Sequence, residues 1–158
     1  MSDGLGRANR KLYHASILLQ MLERELAREY YPASIVLEAA APAIRLHLLD
    51  ALGWFLLELA EVSNLPEAPP HSVAALKDQC KLQEPIRGEL VEIGNLEQQG
   101  WLKALQSEPL RPGASQPAAG GANLLAVADQ AWSLEQLRQW ATAVDELIDR
   151  LGHGLDEW

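Results

Sequence analysis

Residues 45–62, RLHLLDALGWFLLELAEV, constrain the fold more than any other stretch. Wound as a helix, the segment is apolar on nearly every side, so more than two neighbouring elements, or a partner molecule, must cover it. Asp50, Glu58 and Glu61 interrupt it, which argues against a membrane span. On a helical wheel His47, Asp50, Trp54, Glu58 and Glu61 share one narrow arc, and only Arg45 lies on the far side.

Two other segments have a period that can be counted. Leu5, Ala8, Leu12, Ala15, Leu19, Leu22 and Leu26 step by three and four, which predicts a helix from Leu5 to Tyr30, ended by Tyr31-Pro32. Leu134, Leu137, Ala141, Val144, Ile148 and Leu151 repeat the pattern, predicting a last helix from Ser133, its N-cap, to Leu151, with Gly152 as the stop. Residues 33–62 predict one long helix kinked at Pro42, or two joined end to end, closed by Ser63-Asn64. Ser72 caps a short helix reaching about Gln83, and Glu84-Pro85 restarts the chain. Ile86, Leu90 and Ile93 continue at helical spacing, weakened by Gly94-Asn95 and Gly100, up to Trp101, Leu102 and Leu105. Pro109 to Asn123 has the composition of a flexible connection.

No segment alternates like a strand, and 158 residues suit one domain. The fold class is therefore all-α: an antiparallel four-helix bundle with a broken third helix, the alternative being a five- or six-helix orthogonal array.

Composition and motifs exclude more than they assign. The opening has no signal-peptide core, and with no membrane span the chain reads as cytoplasmic. Cys80 is the single cysteine, so neither a disulfide nor a CxxC zinc site is available. None of His14, His47, His71 and His153 follows a glutamate by three residues, which removes the di-iron bundle pattern. HExxH, phosphate-loop and GxSxG motifs are missing. Small helical nucleases of the HEPN type carry an arginine and a histidine with four to six residues between them; Arg10–His14, Arg45–His47 and Arg150–His153 have three, one and two, although Arg7 and His14 have six. No cofactor or metal ligand set is expected, and the reading leans away from an enzyme. The net charge is −9, with residues 129–158 carrying seven acidic and two basic groups. This acidic body disfavours nucleic acid, for which Arg7, Arg10 and Lys11 form the single basic segment.

Two readings of the polar arc stay open. It is a solvated stripe on a buried helix, or it is a pocket or interface built from His47, Asp50, Trp54 and Glu58 with Tyr13 and His14 from the first helix. Arg45 is expected to lay its stem on Leu49 and hold its head at the rim. The terminal Trp158 either packs back or anchors a partner. The expected function is a noncatalytic interaction protein, homodimeric or bound to another protein through the apolar excess of the second helix; a ligand- or metal-binding bundle with a pocket near His47 is the alternative.

The opening RANRKLYHASILLQMLERE, the central GWLKALQ and the ending ELIDRLGHGLDEW together resemble an uncharacterised family of small helical proteins from Pseudomonas-like gammaproteobacteria, defined only as a domain of unknown function. The resemblance implies a bacterial, cytoplasmic helical protein and supplies no catalytic residue.

Overall fold

In a computed structural model, residues 3–82, 85–107 and 133–155 are described. Six helices make up their regular structure: α1 (Asp3–Arg28), α2 (Ala33–Leu59), α3 (Val73–Gln79), α4 (Gly88–Gln99), α5 (Trp101–Gln106) and α6 (Leu134–His153). No strand occurs among the described residues, so the fold is all-helical. The connection expected at 109–123 and Trp158 lie outside the described residues.

Helix α1 buries Gly4, Ala8, Ala15, Leu19 and Leu22 along the predicted stripe. Its main neighbour is α2, and the two are antiparallel: Gly4 lies against Trp54 and Glu58, Lys11 meets Asp50, and His14 meets His47. Small residues at positions 4, 8 and 15 let the backbones approach; a Cβ on Gly4 would stand 3.0 Å from the Trp54 carbonyl oxygen. Glu29 and Glu61, with φ of 54° and 55°, take the left-handed conformation just beyond α1 and α2, where a helix end favours glycine.

Helix α2 runs unbroken through Pro42, so the single long helix is the correct version of the two offered by the sequence. Its two halves differ. Residues 51–57 are all buried, because α1, α3, α4, α5 and α6 all contact this helix and the 63–72 loop presses on it at Gly53. Leu52, Phe55, Leu56 and Leu57 are wholly inaccessible, and burying each such side chain stabilises by about 1.5–3 kcal/mol. The first half buries only Val36, Ala41 and Ile44.

The remaining boundaries follow the capping chemistry. Ser72 Oγ accepts from the Ala75 N–H and Ser133 Oγ from the Gln136 N–H, as expected of N-caps. Helix α3 is shorter than predicted, stopping at Gln79 with Cys80 extended. The stretch from Ile86 to Leu105, expected to be helical but broken, forms two separate helices, α4 and α5, divided at Gly100, with Leu90, Ile93, Leu102 and Leu105 buried. Gly152 does not stop the last helix. It is buried within α6, its Cα side facing the Phe55 ring, and Gly154 caps the end instead.

Candidate functional site

The polar arc of α2 lies along the seam with α1. Arg7, Lys11 and His14 step by four and three along α1, and Trp54, Asp50 and His47 step by four and three backwards along α2, so antiparallel packing pairs them in order. The Arg7 guanidinium lies 4.7 Å from the Trp54 ring centroid, a cation–π contact. Lys11 Nζ lies 3.2 Å from Asp50 Oδ2. The His14 and His47 rings meet edge to face, with centroids 5.2 Å apart.

Asp50 is the busiest group of the seam. Its other oxygen, Oδ1, is 2.7 Å from Nε2 of His71, which arrives from the loop before α3. That loop is held from behind as well: Gln106 donates to the His71 carbonyl at 2.8 Å and to Glu97 Oε1 at 3.1 Å, while Glu97 Oε1 accepts from the Val73 N–H at 2.9 Å. The network therefore joins α1, α2, α4, α5 and the loop entering α3. Its acidic centre is matched by cationic or hydrogen-bonding partners, which is what a largely desolvated carboxylate requires.

Burial lowers the pKa of His47, and the Lys11 ammonium and His14 push the same way against an opposing pull from Asp50. Its Nδ1 is buried without a hydrogen-bond partner among the described residues. Burial raises the pKa of Glu58, and a hydrogen bond from the Leu5 backbone opposes the shift. Burial thus disfavours the charged form of both groups.

Of the residues singled out from the sequence, His14, His47, Asp50, Trp54 and Glu58 meet along this seam. Tyr13 does not. It is 67% exposed and borders a different concavity, a groove of about 500 Å³ between α1 and α6. Arg45 is anchored at the end of α5, where Nε donates to the Leu105 carbonyl at 2.7 Å and Nη2 to that of Ser107 at 3.2 Å. Two of the three basic residues considered for nucleic acid, Arg7 and Lys11, have their heads engaged within the seam.

No local pattern in the sequence links His71, Glu97 or Gln106 to the polar arc. Loop residues carry no periodicity, so their contacts with α2 are set by tertiary packing alone. The mirror spacing of 7, 11, 14 and 47, 50, 54 was available as a signal for the α1 partners.

Chemically, an imidazole oriented by a carboxylate with an ammonium on its far side can hold a proton, and it can also tie three segments together. Among the described residues no group of three or more histidine, cysteine, aspartate or glutamate side chains is placed to hold a metal ion. No described helix is long and apolar enough to cross a membrane.

Compared with known proteins, the chain matches the model of a family described as Family of unknown function (DUF6586) over residues 1–158. No curated protein and no solved structure matches it.

Proposed function

The chain belongs to this family of unknown function, and from that premise, which carries no activity with it, we propose that the protein is a noncatalytic helical interaction module that pairs with a second copy of itself through the first half of α2. One observation carries the reading. Ile35, Ala39, Pro42, Ala43 and Leu46 are all exposed on one face of α2, with Ile35 at 56% and Leu46 at 50%. The apolar excess anticipated for the second helix is buried internally over residues 51–57, and what remains outside is this strip. A continuous exposed apolar face is the usual mark of an interaction surface.

Self-pairing is favoured by the flank of the strip. Glu38 and Arg45 lie on the same side of it, about equally far from its middle at Ala41-Pro42. A twofold axis there makes the two α2 helices antiparallel and brings the Glu38 carboxylate of each copy toward the Arg45 side of the other, where the guanidinium stays held by the Leu105 and Ser107 carbonyls and adds charge complementarity rather than a new bonded pair. Small side chains at the centre allow close helix approach. A cytoplasmic setting, a gammaproteobacterial origin, and a bundle-like single domain in which α4 and α5 together form the broken third helix are parts of the same proposal.

The alternative, a ligand site at His47, rests on the convergence of His14, His47, Asp50 and His71, but these groups are taken up mainly with one another. Sedimentation velocity separates the two. A dimer at tens of micromolar that becomes a monomer in Leu46→Asp, with helicity and melting temperature retained, is expected; a monomeric wild type, or a dimer indifferent to Leu46→Asp and Ile35→Asp, overturns the reading.

A further inference from the structure

The α1–α6 groove has a floor and a rim of different character. Leu12, Leu19, Leu48 and Ala141 contribute its apolar lining, while Asp145 and Glu146 stand along the α6 side. A second concavity of about 160 Å³ shares Asn9 and Asp145 with it and adds Leu5 and Asp149, so the two form one trough along α1 from Leu5 to Leu19. At ~1.5 Å per residue this is roughly 21 Å, or four turns of a docked helix.

Carboxylates without an ion pair are common among the described residues, Glu38, Glu67 and Asp78 being examples, and the rim sets two of them side by side. Glu23, Glu25, Asp50, Glu89 and Glu92 each pair with a cationic side chain, whereas Asp145 and Glu146 have no ion pair among the described residues. Among the described residues no arginine or lysine lines either concavity, and Asp149 meets only His153, at 3.4 Å. An apolar trough edged by unpaired acids on one side, with Tyr13 and Ser16 on the other, is complementary to one kind of surface.

We infer that the α1–α6 trough is a docking site for a basic amphipathic helix of another protein, whose apolar stripe lies over Leu12 and Ala141 and whose lysine or arginine side chains meet Asp145, Glu146 and Asp149. This surface is separate from the Ile35–Leu46 strip, so the inference does not depend on self-pairing.

The test uses the full chain and a fluorescently labelled synthetic peptide of about 15 residues, with leucines at helical spacing and lysines on both flanks. Anisotropy is expected to show saturable binding that weakens with salt. A peptide with glutamate in place of each lysine should not bind. Asp145→Lys combined with Glu146→Lys should weaken binding by about tenfold or more, and Ser16→Trp, which obstructs the trough without altering its charge, should weaken it as well. The matched reversal Glu25→Lys with Glu67→Lys, away from the trough, should leave binding largely intact, and so should Leu46→Asp. Absence of binding overturns the inference. So does equal weakening by both pairs of charge reversals, which marks diffuse attraction to an acidic protein. A change of self-association on reversing Asp145 and Glu146 would give the trough to a second copy and likewise overturn it.

Discussion

The Asp50 carboxylate joins the His71 imidazole at 2.7 Å, across 21 residues of chain, and it does so while its second oxygen faces Lys11 at 3.2 Å. One side chain thereby fastens the 63–72 loop to the α1–α2 hairpin. Asp50→Asn should cost about 1–2 kcal/mol, since a charge-assisted contact is lost while a hydrogen-bonding group of the same shape stays. Because His71 and Lys11 are partly exposed, their direct coupling to Asp50 is smaller, about 0.5–1 kcal/mol each. Double-mutant cycles of Asp50→Asn with His71→Gln and with Lys11→Met, by urea denaturation, measure both terms; additive cycles would remove Asp50 from this role.

Gly53 is required for space rather than for backbone conformation. A Cβ there would overlap the Pro70 carbonyl oxygen and stand 2.8 Å from the Pro69 Cβ, so Gly53→Ala must push the loop off α2. A loss of about 2–3 kcal/mol is expected. Gly94 supplies the control, since nothing lies within 4 Å of a Cβ placed on it in α4. Gly94→Ala should gain about 0.5–1 kcal/mol from helix propensity. Thermal melts of the two variants should therefore move in opposite directions.

The lowered pKa of His47 makes stability depend on acid. The unfolded chain takes up a proton near the ordinary histidine value of 6.5 while folded His47 resists it, so between that value and its lower folded pKa the unfolded state binds more protons. Stability contributed by neutral His47 is present above pH 6.5 and declines as the pH falls through this window. His47→Gln should flatten the stability profile over that range. An unchanged slope would place the acid sensitivity elsewhere.

Glu58 has the opposite sign. Its raised pKa means that the folded state binds its proton more readily than the unfolded chain, so its contribution is fully present at low pH and is lost as the pH rises past the ordinary carboxyl value through the folded one. Glu58→Gln, which keeps an oxygen for the Leu5 backbone, should be neutral or slightly stabilising at pH 7. Clear destabilisation there would show that the charge itself is needed.

Glu29 ends α1 at φ 54°, a conformation that costs an L-residue roughly 1 kcal/mol relative to glycine. Its side chain is exposed, so Glu29→Gly should raise the urea midpoint. A lower midpoint would mean that the charge at this turn outweighs the backbone strain.

Much of the fold is legible locally. The three-and-four stepping of α1 and α6 marks their buried faces, and Ser72 and Ser133 mark helix starts, because periodicity and capping act over one or two turns of chain. Where Gly152 misled, the cause was nonlocal: a glycine that reads as a stop is instead the place where α6 passes the Phe55 ring. The polar arc is legible as an arc, but whether it meets water or another helix depends on how α2 is rotated against α1, and local sequence has no term for that.

By itself the sequence determined that the chain is helical, that residues 45–62 need cover on several sides, and that it carries no HExxH, phosphate-loop, GxSxG or Glu-x-x-His motif, since all three follow from residue type and short-range spacing. Only the tertiary structure decided which side of α2 stays uncovered, that Asp50 holds His71, and that α1 and α6 leave a trough edged by unpaired carboxylates. Those outcomes depend on bringing together residues 21 to 136 positions apart along the chain, as Asp50 and His71 in one hydrogen bond and Asn9 and Asp145 on one concavity. They are set by how whole helices pack, through the competition of many side chains for the same buried space.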